Sequence, residues 1–352
     1  MAVNFLQTRD KLLLHEVSDL YNGKELVEEG SYGKVYRVIC KRTKDTFAMK
    51  ALSKSQITFN TFKREFNYSC LLATHPAVVT TYTAAFQTPS TWNLVQEMAA
   101  GSLENVVTLG VGVEAEQCKI IIRQVTSALQ FIHSKKLCHG DVRPSNILFF
   151  NRQPWVVKLA DFGLTCKVKT QVRKRSANTM FTPPEVCQLI CNECYLMEQS
   201  IDVWHVGITL YFLLTGILPW SQADKSDKAY STFLSWREYA RHQPPPGWGR
   251  FNKKIQKLFR KLLNPTGKDR CSVAGMNKYY EAEWTTRVAQ LERVGESGEA
   301  NKSMDSEETE YQHKLARETL QNHLAENGVV TKVGKSWRRE RVNRWVEESS
   351  II

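Results

Sequence analysis

The stretch Leu137–Phe150 reads LCHGDVRPSNILFF. An apolar helical pattern leads into it and the apolar ILFF leads out, so Asp141 falls in a loop between a helix and a short strand. Arg143 follows two residues later and Asn146 five residues later. A carboxylate that orients a hydroxyl and takes its proton, a cation for a terminal phosphate, and an amide oxygen for magnesium make a compact set for phosphoryl transfer. Fifteen residues after Asn146, the segment LADFGL adds Asp161, a second carboxylate able to chelate Mg²⁺. An Asp and an Asn carbonyl suit that ion, which takes hard oxygen ligands and completes its octahedron from phosphates and water.

Upstream, VEEGSYGKV (residues 27–35) places Gly30 and Gly33 three apart before Val35. Glycines in such a turn let the backbone lie close to a polyphosphate. Seventeen residues after Gly33, FAMK carries Lys50 on an alternating strand, with Ala48 and Val35 able to share one side as a slot for a flat base. Glu65, in FKREFNYSC, is the anion expected to hold Lys50. The catalytic candidates are therefore Asp141, Lys50, Glu65, Arg143, Asn146 and Asp161, with Asn146 and Asp161 the candidate metal ligands.

Around these motifs, residues 22–99 are β-rich, with KVYRVI, TFAMKAL, VVTTYT and WNLVQEM broken by turns and by one helix over residues 59–74. From Gly101 the apolar spacing turns helical, and Ile121, Val125, Leu129 and Ile132 form one face. Two short strands are expected around 146–150 and 155–159, and helical patterns continue to about residue 288. The longest apolar run, Val203–Trp220, is interrupted by His205 and flanked by Asp202 and Pro219, so it reads as a buried helix and not as a membrane span.

The 352 residues carry a formal charge of +12, with 42% hydrophobic and 24% charged residues, enough for a full core. Residues 291–352 hold 10 Lys+Arg against 12 Asp+Glu, which leaves a strongly basic remainder suited to an anionic ligand. No dense array of arginines and aromatics supports nucleic-acid binding. The nine cysteines include one CxxC pair, Cys191 and Cys194, without the second pair of a zinc set, and read as free thiols of a cytoplasmic protein. The first residues lack a cleavable signal, Ala2 excludes myristoylation, and no transmembrane segment is expected.

The combination resembles the protein kinase fold over residues 22–288, an α+β bilobal architecture with a β-rich N-lobe containing one major helix and a mainly helical C-lobe. REFNYSCLLATHP, VKLADFGLTCKV and PPEVCQ are most similar to the SH3-binding-domain kinase family. The resemblance implies ATP and Mg²⁺ as cofactors, protein substrates with Ser/Thr acceptors, and a nucleotide cleft between the lobes. Phosphates would lie along Val27, Glu28, Glu29, Gly30, Ser31, Tyr32, Gly33 and Lys34, and adenine between Val35, Ala48 and Leu148. The hinge would comprise Glu97, Met98 and Ala99, with Gln96 as gatekeeper. His139 and Phe162 would belong to an internal stack, Asp202 would anchor the catalytic loop, and Glu185 would pair with Arg270. DVRPSN and Thr179, which lies near the position of a hydroxyl contact to the catalytic Asp, favour Ser/Thr over Tyr.

Several positions depart from the family pattern. Glu28 replaces the first glycine of the phosphate loop. Gly140 replaces the arginine that usually grips a phosphorylated activation loop, which puts that form of control in doubt. Arg143 stands for lysine, keeping charge but not shape. Asn178 and Pro183 change the activation-segment wording, and the spacing from Thr179 to Glu185 is about one residue short. These departures keep open an alternative, a pseudokinase scaffold. QPPPGW (243–248) lacks PxxP spacing, so an SH3 partner is not supported by it and a rigid C-lobe loop is expected. The remaining divisions are an N-terminal extension, 1–21, and a tail, 289–352, with an acidic linker, a helix over Glu310–Glu326 and a basic stretch over Lys332–Arg344. Nothing in the sequence speaks to the oligomeric state.

Overall fold

The β-branched segments form one antiparallel sheet in the computed structural model, which describes residues 12–30, 32–152, 155–174, 179–239 and 243–285. Its strands are β1 Tyr21–Gly30, β2 Gly33–Cys40, β3 Thr46–Ser53, β4 Thr81–Gln87 and β5 Thr91–Glu97, in the order β1-β2-β3-β5-β4. One helical turn, α1 Val17–Leu20, precedes β1. Register puts Lys50 of β3 opposite Val35 on β2 and Leu94 on β5. Strand alternation then buries Met49 with Val38, Val95 and Phe86 on one face and turns Ala48 and Lys50 to the other.

Helix α2, Phe59–Leu72, covers that second face. Thr58 caps it by accepting the Thr61 backbone N–H at 3.3 Å. Phe62, Phe66 and Cys70, spaced four apart, pack on Leu52 and Leu94. Each buried phenylalanine contributes about 1.5–3 kcal/mol by leaving water, so this seam decides where α2 sits.

Past the sheet, β6 Gly101–Ser102 leads into the short helix α3 Leu103–Val106 and the long helix α4 Ala115–Ser134. Ile121, Val125, Leu129 and Ile132 of α4 are all buried, as their spacing predicts. β7 Leu137–Cys138, β8 Ile147–Arg152 and β9 Trp155–Leu159 follow, with β6, β8 and β9 forming a three-stranded sheet. β10 Cys166–Lys167 pairs with β7, and β11 Gln171–Arg173 with β12 Cys194–Leu196, on either side of the helical turn α5 Pro184–Cys187. The apolar run becomes α6, Gln199–Thr215, with every residue from Ile201 to Thr215 buried. Among the described residues no helix is long and apolar enough to cross a membrane.

α7 Lys228–Glu238 and α8 Lys253–Leu262 complete the helical half, capped by Asp227 and Asn252. The proline run is a structural loop: its Trp248 is buried against Tyr211 at 4.6 Å, Phe233 at 4.9 Å and Phe259 at 5.1 Å between ring centres. None of the nine cysteines is joined in a disulfide. Ser31, Asn178 and the tail, with its expected helix and basic stretch, lie outside the described residues.

Candidate active site

Lys50, Glu65 and Asp161 meet between the sheet and the helical half. The Lys50 ammonium lies 2.7 Å from Glu65 Oε1 and 3.1 Å from Asp161 Oδ2. Burial disfavours the ammonium, but the carboxylates of Asp161 and Glu65 outweigh it and hold Lys50 charged well above the usual lysine range. Asp161 resists burial through Lys50 and through the Gly163 N–H it accepts at 3.1 Å, and its carboxyl is lowered to about 2. Glu65 is the deeper carboxylate, and burial pushes it up against the pull of Lys50. Asp161 sits at φ 61, a strained conformation for a non-glycine residue and one that recurs at functional sites.

The catalytic-loop candidates form the second cluster. Asn146 donates its amide N–H₂ to Asp141 Oδ2 at 2.8 Å and to the Asp141 carbonyl at 2.9 Å. That commits its nitrogen and leaves the amide oxygen as a donor for a cation. Arg143 Nε stands 3.4 Å from Asp141 Oδ2, and this buried nitrogen has no hydrogen-bond partner. The loop itself is hung from below: Asp202, fully buried, accepts the backbone N–H groups of His139 at 2.9 Å and Gly140 at 2.8 Å, and contacts His133 Nε2 at 2.8 Å. The His139 ring bonds through Nε2 to the Ala160 carbonyl at 3.1 Å, which leaves Nδ1 to accept the Asp141 N–H at 3.2 Å. Phe162 meets the same ring edge-on at 5.2 Å. Asp141 therefore has a backbone position fixed from both sides.

The phosphate-loop candidates behave differently. Gly30 and Gly33 close the β1–β2 hairpin as a register pair. A Cβ on Gly33 would lie 2.2 Å from the Ala51 carbonyl oxygen, so this glycine is required by the packing of β2 on β3, independently of any ligand. Val27 and Tyr32 are exposed, and Glu29 pairs only with Lys34, at 2.9 Å in open solvent. Glu28 sits opposite Val35 and thus on the side of the sheet that carries Lys50. Burial raises its carboxyl, while Lys50 and Arg143 lower it and Asp161 raises it further. Glu104, on α3, feels Arg143 and Glu28 in the same way.

At the hinge, the Gln96 side chain is opposite Ala48 and donates to Thr81 Oγ1 at 2.9 Å. Glu97 accepts Lys158 Nζ at 2.6 and 2.8 Å and the Thr80 N–H at 2.6 Å. Met98 and Ala99 carry the chain to β6, and half-buried Leu148 is paired with Ser102 on β6. Lys158, like Thr81 and His133, was not singled out from the sequence, because only the folded chain brings it to its partner.

The activation segment is organised with glycine, not arginine, directly before Asp141. Gly140 has φ 86, and a Cβ there would meet the Leu164 carbonyl at 3.1 Å and Met197 Cε at 3.2 Å. In place of a phosphate clamp, backbone pairing holds the segment. β11 lies on β12, Lys169 N–H donates to Met197 O at 2.7 Å, and Met197 N–H donates to Thr170 O at 2.9 Å. Over Lys167–Lys174 the basic run is held by this backbone pairing. The expected Glu185–Arg270 pair forms with two hydrogen bonds of 2.8 and 2.6 Å. Thr179 does not contact Asp141 among the described bonds; its hydroxyl lies 3.1 Å from that of Thr182, whose oxygen also accepts the Thr179 N–H at 2.8 Å.

Fold and site together define an enzyme of the protein kinase class. The sequence model of the protein kinase domain matches residues 21–284. The chain is 34% identical over 280 residues to the serine/threonine-protein kinase SBK1 of Danio rerio, a match covering 79% of this chain and 73% of that one. It is 34% identical to SBK1 of Mus musculus, over 70% of this chain and 60% of that one. The Drosophila melanogaster serine/threonine-protein kinase meng-po matches at 34%, over 78% of this chain and 60% of its own. The chain belongs to the protein kinase family, and within it to the SH3-binding-domain kinases.

Proposed function

We propose that the chain transfers the γ-phosphoryl of Mg-ATP to serine or threonine hydroxyls of protein substrates. The observation that carries this reading is the pair of clusters Asp141–Asn146–Arg143 and Lys50–Glu65–Asp161, each joined by short side-chain contacts. Asn146 and Asp161 fit magnesium: both offer hard oxygens, the Asn146 amide oxygen because its nitrogen is committed to Asp141 and the Asp161 carboxylate because Lys50 keeps it ionised. That suits an ion drawing its other ligands from phosphate and water. When bound, magnesium would supply charge neutralisation between the phosphates.

The chain's own residues do the rest. Lys50, oriented by Glu65, positions the α- and β-phosphates, and Arg143, whose Nε is turned to Asp141, brings its guanidinium charge to the terminal phosphate. Asp141 orients the acceptor hydroxyl and takes its proton, with Asn146 and Arg143 holding the carboxylate. Val35, Ala48 and Leu148 offer apolar walls for adenine, and the backbone of Glu97–Ala99 its polar edge. We place the lobes at 22–99 and 100–288, with 1–21 as an extension and 289–352 as a tail. The names of the relatives and the Arg143–Pro144 pair in the catalytic loop support Ser/Thr acceptors.

Thermal unfolding with ATP, with and without Mg²⁺, tests the nucleotide half of this reading. A ligand at a hundredfold excess over its Kd adds about 2.7 kcal/mol. A shift that needs Mg²⁺ and disappears in Asp161→Asn is expected. A shift indifferent to both, or no shift, favours the scaffold reading for which Glu28 leaves room.

A further inference from the structure

Three leucines in a row precede β1, and the structure treats them differently. Leu13 and Leu14 are 69% and 64% exposed, whereas Leu12 is 7% exposed. Leu12 completes the cluster of Leu52, Phe62, Phe66, Cys70 and Leu94. Two of those residues, Phe62 and Phe66, flank Glu65 on the buried side of α2. The segment is pinned where it enters: Gln87 N–H donates to Leu13 O at 2.9 Å, His15 N–H to Gln87 O at 3.0 Å, and Gln87 Nε2 to Leu12 O at 2.8 Å. Lys54 Nζ holds the Gln87 side chain in turn at 2.9 Å.

We infer that Leu12 is a positioning residue for phosphoryl transfer: the amino-terminal segment is a strap whose leucine wedges α2 in place and so keeps Glu65 on Lys50. This rests on the function proposed above. A helix places its carboxylate only as well as its packing fixes its rotation, and a close-packed seam transmits a missing side chain to its neighbours. Elsewhere α2 is tethered to the active site by Arg64, which donates to Gly163 O at 2.9 Å, and by the Lys50–Glu65 pair itself. Phe62 and Phe66, which flank Glu65 along α2, pack in the same cluster as Leu12, so Leu12 acts through the helix and not on substrate.

The test uses the full chain with Leu12→Ser, Leu12→Met, Glu65→Gln and the double variant Leu12→Ser/Glu65→Gln. Val38→Ala, in the cluster on the opposite face of the sheet, is the control for general destabilisation. Leu12→Ser should lower kcat about tenfold at a temperature well below its Tm, leave KM for peptide unchanged, and be rescued by Leu12→Met. In the Glu65→Gln background it should add nothing, because the coupling it acts through is gone. A kcat loss that merely tracks Tm as in Val38→Ala, or that adds fully to Glu65→Gln, overturns the inference. Amide exchange over Phe59–Leu72 gives a readout that needs no catalysis: Leu12→Ser should speed it selectively, and unchanged exchange also overturns the strap. Should Leu12→Ser fail to fold, Gln87→Met loosens the strap without opening the core and is expected to have the same, smaller effect. If the wild type transfers no phosphate yet α2 exchange responds, the proposed function fails while the strap stands.

Discussion

Two loops face each other across the cleft, and they are built in opposite ways. The catalytic loop, His139–Asn146, is anchored at nearly every residue: Asp202 takes two of its backbone N–H groups, His205 Nδ1 lies 3.4 Å from the Val142 N–H, and Thr209 donates to the Val142 carbonyl at 3.2 Å. The phosphate loop, Val27–Val35, is exposed over most of its length, and among the described residues its ion pair is a solvent pair between Glu29 and Lys34. Two of the departures from the family pattern, Glu28 and Gly140, show this difference. Glu28 enters the open loop, where a side chain finds room, whereas the one substitution at the catalytic loop's anchor is to glycine, the residue a crowded position with φ 86 demands. Chemistry is held in the rigid loop, and tolerance lies in the exposed one.

Substitutions in the two loops should therefore differ by orders of magnitude. Asp141→Asn removes the proton acceptor and should lower kcat by about 10²–10⁴-fold with Tm nearly unchanged, read by steady-state kinetics beside a melting curve. A loss below tenfold would put the proton acceptor elsewhere. Below the catalytic loop, Arg270→Met leaves Glu185 without its buried partner and strips the bonds to Ser200 and Asn264 carbonyls. It should cost about 3–5 kcal/mol, measured by denaturant unfolding. Gly140→Ala should cost about 1–2 kcal/mol for its left-handed backbone, plus some activity as Leu164 and Met197 shift. Smallest, Glu28→Gly should tighten Mg-ATP binding a few-fold, by roughly 0.5–1 kcal/mol, because it takes one negative charge off the side of the sheet that carries Lys50. Weaker binding in that variant would instead make Glu28 a contributor to the nucleotide site.

How much of this was legible in the chain follows the same physics. Asp141, Arg143 and Asn146 could be read together because a loop of six residues carries them, and contiguous residues need no tertiary knowledge. Lys50 and Glu65 were legible as a pair because a strand and the next helix separate them by a single connection. The apolar period of α4 and the uniform apolarity of α6 gave their burial correctly. What stayed hidden depends on long-range closure. Lys158 reaches Glu97, His133 reaches Asp202, and β11 finds β12, none of which has a local pattern. Thr179 was assigned by analogy of position, and the folded turn sets its hydroxyl on that of Thr182. Leu12 was hidden beside two identical neighbours, since composition cannot say which leucine of LLL turns inward.

The most direct test of the account is transfer of labelled phosphate from Mg-ATP to a mixed Ser, Thr and Tyr peptide library, comparing wild type with Asp141→Asn of equal Tm. The account predicts label on serine or threonine with the wild type and its loss in the variant. No incorporation by either protein, or equal incorporation by both, would contradict it.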